Sequence, residues 1–115
     1  MSLISALLKS GMRGLSVKNK TDRELLGLAA RAATRGARDL TESEWWNPLE
    51  DSAQAFHLSV SLKFRIDHVY HDRFQVMVGD GDYWAIVPYD GNPYAATRRA
   101  IVMAAAKLAE GRYGH

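Results

Sequence analysis

The side chains that could support catalysis or hold a metal ion are few, and their spacing is unfavourable. The chain contains no cysteine, which excludes disulfides, thiol nucleophiles and zinc sites built on cysteine. His68 and His71 lie three residues apart in a segment with strand alternation, so their side chains point to opposite faces and do not share a metal ion. Ser59 and Ser61 have no visible histidine–acid partnership. The sequence therefore predicts a protein that is not an enzyme, with no metal and no cofactor.

One acidic run has a superficial likeness to a cation site. Gly79-Asp80-Gly81-Asp82 resembles the first positions of a calcium-binding loop, but the later ligands and the bidentate glutamate that such a loop needs are missing. A hairpin turn accounts for the same four residues. Gly91-Asn92-Pro93 is likewise not a phosphate-binding loop.

Binding is better supported than catalysis, because the chain is rich in large aromatic side chains. The prominent ones are Trp45, Trp46, Tyr83, Trp84, Tyr89 and Tyr94. Trp46 and Trp84 are most simply core residues, since burying either is worth a few kcal/mol. Tyr83 and Trp84 are neighbours in a predicted strand, so one of them is exposed or lies beneath a helix. We take Trp45, Trp46 and Tyr83 as candidate binding residues.

Arg98 and Arg99 form the other candidate site. They lie near the start of the last predicted helix, where the helix dipole opposes cations. Such a pair is typical of an anion site, in which guanidinium and backbone N–H groups converge on a phosphate. The alternative is that the two arginines pair with acidic residues of nearby loops, namely Glu50, Asp51 or Asp90.

Composition and charge restrict the class of protein. The 115 residues, 47% of them hydrophobic, suffice for one domain with one core. The net charge of +2 is segregated into +6 over residues 1–38, −5 over 39–52 and +1 over the remainder. Segregation favours an anionic partner for the N-terminal third; alternatively the basic and acidic segments attract each other or are solvated. No apolar run reaches the ~20 residues of a membrane-spanning helix, so we expect no membrane association.

Capping and periodicity predict the helices that position these residues. Thr21-Asp22-Arg23-Glu24 has the spacing of a capping box and begins a helix that ends at Gly36. A second helix is predicted over about residues 51–62. The longest covers 92–110, with an asparagine cap, a proline at its first position and Gly111 as the left-handed residue that ends it.

Between the second and third helices the period of the apolar residues becomes that of a strand. Alternation predicts strands over about residues 64–69, 74–78 and 83–88, with turns at His71-Asp72 and after the second strand. A small antiparallel sheet needs a cover, which the helices supply. The predicted fold is α+β, a three-stranded antiparallel meander covered by helices in the order α-α-β-β-β-α, as one domain over residues 21–112.

Residues 1–20 are predicted to be an N-terminal extension of this domain. Four apolar side chains fall on one helical face: Leu3, Ile4, Leu7 and Leu8. Two glycines end the pattern within two turns, and an isolated helix of this length is marginal in water. The extension must therefore pack on the domain or on a partner, and self-association through this face is a further hypothesis.

Two stretches match a known family in order and spacing. The first is Trp46-Asn47-Pro48-Leu49-Glu50-Asp51-Ser52-Ala53-Gln54-Ala55, followed by Leu58, and the second is Asn92-Pro93-Tyr94-Ala95-Ala96-Thr97-Arg98-Arg99-Ala100-Ile101-Val102. Together with the opening Thr21-Asp22-Arg23-Glu24-Leu25-Leu26, they resemble the phage ABA-sandwich domain family of small bacteriophage and prophage proteins, over about residues 21–110.

The resemblance implies an alpha-beta-alpha sandwich, which agrees with the predicted order of elements. It implies no activity and transfers no catalytic residues. Its hallmarks also have a structural interpretation: a tryptophan that fills the core, an asparagine that bonds loop backbone, and an arginine that ties this loop to the last helix.

These observations predict a non-enzymatic phage or prophage accessory protein in the host cytoplasm, which binds a host or phage protein. If that partner is a nuclease or a defence complex, the protein is its inhibitor. The alternative is a nucleic-acid-binding module that uses Arg98, Arg99 and the basic N-terminal third. Double-stranded-RNA-binding domains share the order helix, three-stranded meander, helix, but they place a lysine-rich cluster, absent here, at the start of the last helix. A small-molecule pocket between sheet and helices is the third hypothesis.

Overall fold

The computed structural model describes residues 20–36 and 45–113; residues 1–19, 37–44 and 114–115 lie outside that description. The described elements are helices α1 (Asp22–Ala33), α2 (Ser52–Ser61) and α3 (Pro93–Tyr113), and strands β1 (Arg65–His71), β2 (Arg73–Gly79) and β3 (Trp84–Pro88). The strands form an antiparallel sheet in the order β1-β2-β3. The predicted α+β fold and its order of elements are confirmed. Apart from Lys20, the predicted extension lies outside the described residues.

Side-chain caps set the beginning of each helix. Thr21 forms a capping box with Glu24: its Oγ1 accepts from the Glu24 N–H at 3.2 Å, and Glu24 Oε1 accepts from the Thr21 N–H at 3.4 Å. Asp51 and Asn92 each accept a backbone N–H three residues later, at 3.0 and 3.1 Å. These bonds satisfy donors that a helix start leaves unpaired, and the predicted starts are confirmed.

The end of α3 differs from the prediction. The helix continues to Tyr113 and includes Gly111, so the prediction that Gly111 is a left-handed terminating residue is wrong. A Cβ at Gly111 would lie 2.3 Å from the hydroxyl oxygen of Tyr83. Glycine is needed here because an aromatic ring occupies the place of a side chain, and not because the chain turns.

The two turns of the meander are tight. Asp72 alone separates β1 from β2 and has a φ of +68°, a conformation that Asp tolerates better than most residues. In the next turn, Asp80 Oδ1 accepts from the backbone N–H groups of Asp82 and Tyr83, at 3.1 and 3.0 Å. Both predicted turns are confirmed.

The described helices share one side of the sheet. α3 packs on β2 and β3, and α1 and α2 pack on α3. The core on this side consists largely of small and branched residues: Leu25, Ala29, Leu58, Val76, Val78, Ala85, Ala100, Ile101, Val102, Ala105 and Leu108. Alanine dominates the buried surface of α3, which lets sheet and helices approach it closely. No described helix is long and apolar enough to cross a membrane.

The opposite side of the sheet carries Gln75, Met77 and Trp84, and we call it the second face. Met77 and Trp84 are buried there, with Val69 and Ile86 packed against them. Because successive strand residues alternate between faces, Tyr83 points away from this face. Tyr83 packs with the helix-side core, so the prediction that one of the pair Tyr83 and Trp84 lies beneath a helix is confirmed.

Candidate functional site

The corner formed by residues 45–51 is held by hydrogen bonds within itself and to α2. Asn47 Oδ1 accepts from the Leu49 N–H at 3.2 Å. The Gln54 amide bridges the other end: its Oε1 accepts from the Asn47 N–H and its Nε2 donates to the Trp45 carbonyl, both at 2.5 Å. Pro48 is fully buried. The role of the asparagine that the resemblance implies, bonding loop backbone, is therefore present.

Arg98 ties this corner to the last helix. Its Nε donates to the Leu49 carbonyl at 2.8 Å, and its Nη1 donates to Ser52 Oγ at 3.0 Å. The corner and α2 thus share one guanidinium group with α3. The contact that the resemblance implies for an arginine, between this loop and the last helix, is present at Arg98.

Arg99 turns to a different element. Its Nη1 lies 2.9 Å from Asp22 Oδ1 in the first turn of α1, with the two side chains 42% and 65% exposed. Neighbouring positions on a helix do not face each other, and the partners of Arg98 and Arg99 accordingly lie on separate elements. The alternative that the pair bonds acidic residues of nearby loops, at 50–51 and 90, is wrong in its partners: Arg98 bonds a backbone carbonyl and a serine, and Arg99 bonds Asp22.

The three aromatic candidates lie in two different places. Trp45 is 67% exposed on the corner, and Trp46 packs, partly buried, against the core. Tyr83 is half-buried against Gly111 near the end of α3, with the Arg112 guanidinium carbon 5.8 Å from its ring centre. Arg98 joins the corner thirteen residues before Gly111, about 20 Å away along a helix that rises ~1.5 Å per residue. Tyr83 therefore does not share a surface with the corner.

Three other aromatic rings form a contiguous group at the end of the sheet opposite to Tyr83. We call Tyr70, Phe74 and Tyr89 the aromatic cluster. The ring centres of Tyr70 and Phe74 are 5.0 Å apart in an edge-to-face arrangement. Those of Phe74 and Tyr89 are 6.1 Å apart with the planes inclined by only 15°. Tyr70 and Phe74 are 67% and 63% exposed, which is unusual for rings on the helix side of a sheet.

Strand register brings the cluster together. Tyr70 is paired with Phe74 in the β1–β2 ladder, and the Tyr89 N–H donates to the Phe74 carbonyl at 3.1 Å. His68 contacts the cluster at Tyr89, with its Nδ1 2.5 Å from the Tyr89 hydroxyl oxygen. These residues share a face with Val76 and Val78, which are buried in the core, whereas Tyr70 and Phe74 stay mostly exposed.

An open cavity of about 360 Å³ adjoins the cluster. It is lined by Arg73, Phe74, Tyr89, Asp90, Gly91 and Pro93. The volume lies at the small end of ligand-sized pockets and suits an inserted side chain or a short peptide segment. The cavity lies at the end of the sheet, whereas the sequence hypothesis placed a pocket between sheet and helices.

In the part of the chain that the structure describes, potential metal ligands are not clustered and buried polar side chains are paired. Within residues 20–36 and 45–113, no group of three or more His, Asp or Glu side chains could hold a metal ion. Every buried side-chain nitrogen or oxygen in the same ranges has a hydrogen-bond partner. The two histidines of the meander, His68 and His71, lie on opposite faces of β1, as the alternation predicts.

The cluster is absent from the sequence predictions, because strand alternation does not distinguish Tyr70 and Phe74 from buried strand residues. A usable signal was present: both flank the predicted turn at Asp72, so a tight hairpin places them opposite each other. Their exposure could not be predicted in the same way, since it depends on where α3 begins relative to the sheet.

Comparison with known proteins gives no significant match to any protein-family model, curated protein or solved structure. The likeness to the phage ABA-sandwich family therefore rests on the three sequence stretches alone and stays a prediction.

Proposed function

We propose that this protein is a non-enzymatic binding protein whose aromatic cluster docks on a protein partner. The observation that carries the proposal is the contiguous exposure of Tyr70 and Phe74 beside an apolar cavity. Soluble proteins seldom leave large apolar side chains grouped on the surface unless the group is an interaction site. Aromatic residues are also enriched among those that dominate the free energy of protein association.

The charges around the cluster favour a protein over a nucleic acid. Arg73 and Asp90 line the cavity together, and Asp72 lies in the adjoining turn, so positive charge is not in excess. Nucleic-acid sites need a surplus of cations, because phosphate contacts supply most of the affinity. The nucleic-acid alternative also depends on Arg98 and Arg99, each of which donates hydrogen bonds to other parts of the protein.

The biological setting of the proposal comes from the sequence resemblance alone. It is that of a phage or prophage accessory protein, acting on a host or phage protein in the host cytoplasm. If the partner is a nuclease or a defence complex, the proposed role is that of an inhibitor.

The test is affinity capture from bacterial lysate by the full chain and by two variants, with and without nuclease treatment. Phe74→Ser removes the central ring of the cluster, and Trp45→Ser removes a ring of nearly equal exposure, 67% against 63%, from the corner. We expect a protein that survives nuclease, binds the unchanged chain and Trp45→Ser, and is lost with Phe74→Ser.

Each other outcome argues against the proposal in a specific way. Loss with Trp45→Ser alone would move the binding surface to the corner. Capture that disappears with nuclease and falls steeply with salt would favour nucleic acid, with Arg98 and Arg99 as the next residues to replace. Absence of any nuclease-resistant partner would contradict protein binding.

A further inference from the structure

Three side chains on the second face are more deeply buried than contacts with the adjacent side chains of the sheet can explain. Gln75, Met77 and Trp84 are only 7%, 2% and 8% exposed. The described hydrophobic side chains that pack against Met77 and Trp84 are Val69 and Ile86, which stand on the same face. The Trp84 ring also lies against Gly79 of the adjacent strand. Side chains on one face of a sheet lie beside each other, so such neighbours do not cover an indole from above.

The aromatic cluster provides an internal reference for a sheet surface without cover. Phe74 has ring neighbours on both sides and Tyr70 has one, and the two are still 63% and 67% exposed. Trp84, which is larger, would show comparable exposure if its face were open. The difference requires a layer of chain over the second face.

The described chain begins at the right place for such a layer. Lys20 Nζ lies 3.4 Å from Glu110 Oε1 near the end of α3. One turn earlier on α3, Lys107 Nζ donates to the Trp84 carbonyl. β3 is an edge strand, so a chain that precedes Lys20 has only to pass this edge to reach the second face.

The segment that precedes Lys20 has the length and pattern to form this layer. A helix of ten residues is about 15 Å long, and three strands span about 10 Å. Leu3, Ile4, Leu7 and Leu8 recur at helical spacing, and a helix so short needs an apolar surface to be stable. The other gap, residues 37–44, contains a single large apolar residue, Leu40.

We propose that residues 1–19 dock on the second face and place the Leu3–Leu8 side of the segment against Met77 and Trp84. The N-terminal extension is then a layer of the domain itself. Its apolar side is used internally and is not available to a partner or to a second copy.

The absence of cysteine permits a direct test in the full chain. A nitroxide label on Ser5→Cys, which lies on the polar side of the segment, quenches nuclear magnetic resonance signals of nearby groups. We expect loss of the Met77 methyl and Trp84 indole signals and retention of the Leu25 methyl signals in α1. Retention of the Met77 and Trp84 signals, or loss at Leu25, would overturn the proposal.

Two controls separate the other occupants. A label on Ser43→Cys that removes the Met77 and Trp84 signals, when Ser5→Cys does not, would assign the cover to residues 37–44. A mixture of spin-labelled chain without isotopes and isotope-labelled chain without nitroxide detects contacts between molecules. Signal loss in that mixture would mean that a second copy covers the face, which contradicts the proposal.

A second measurement tests the contact itself. Leu7→Ser combined with Leu8→Ser should speed hydrogen exchange of the Trp84 indole N–H with water, whereas Lys9→Ser, its matched control, should not. An unchanged exchange rate in the double variant would contradict docking through this side. If the double variant fails to fold, the nitroxide experiment still decides, because Ser5→Cys leaves the apolar side intact.

Discussion

The corner at residues 45–51 and the aromatic cluster are both rich in aromatic side chains, but they differ in how many of their groups are bonded or buried within the protein. In the corner, Asn47 and Arg98 satisfy backbone groups, and Pro48 is buried. In the cluster, Tyr70 and Phe74 touch each other and leave most of their surface to solvent. The corner exposes one ring, Trp45, whereas the cluster exposes two rings that touch each other. A binding site is therefore indicated by large side chains that stay exposed side by side, and not by aromatic content alone.

The largest expected effect is on stability and belongs to the corner. Trp46 packs against the helix-side core, so Trp46→Ala should lower the free energy of unfolding by about 3 kcal/mol, at the low end for Trp→Ala because the ring is only partly buried. Urea unfolding followed by circular dichroism measures this change. A decrease in the free energy of unfolding no larger than that for replacing an exposed residue would contradict a structural role for the corner.

The next effect separates the two arginines. Arg98→Ala breaks two hydrogen bonds and leaves the Leu49 carbonyl without its partner, which should cost about 2 kcal/mol of stability. Arg99→Ala, the adjacent control, loses one ion pair between exposed side chains, and such pairs contribute less than about 1 kcal/mol. Equal losses in urea unfolding would contradict the division of roles between them.

The smallest effect on stability is expected in the cluster. Tyr70→Ser removes a ring that is mostly exposed, and substitutions of this kind usually change stability by no more than about 0.5 kcal/mol. Thermal unfolding measures it. A loss as large as that of Trp46→Ala would mean that the cluster is part of the core and would break its contrast with the corner.

Features set by neighbouring residues in the chain could be predicted from the sequence. Thr21 and Asn92 cap helices because each bonds a backbone N–H three residues away, and the turn at Asp72 follows from the strand pattern around it. The α+β fold follows from these local elements, since one small sheet and a long helix leave few ways to cover each other.

Features set by distant residues could not be predicted. Gly111 stands where a terminating glycine is expected, but the helix continues through it and the Tyr83 ring fills the space that a side chain would take. Arg98 donates to the carbonyl of Leu49. Because every residue has a backbone carbonyl, the charged residues of the sequence do not indicate which one an arginine bonds. The exposure of Phe74 depends on the surface that α3 leaves uncovered.

The most direct test of the account is the affinity of the captured partner for the full chain, for Phe74→Ser and for Trp45→Ser, measured by calorimetry at one salt concentration. Aromatic residues at the centre of an interface contribute at least about 2 kcal/mol, so Phe74→Ser should raise Kd roughly thirtyfold. Trp45→Ser should leave Kd nearly unchanged. The reverse result, a large loss with Trp45→Ser and none with Phe74→Ser, would contradict the assignment of binding to the aromatic cluster.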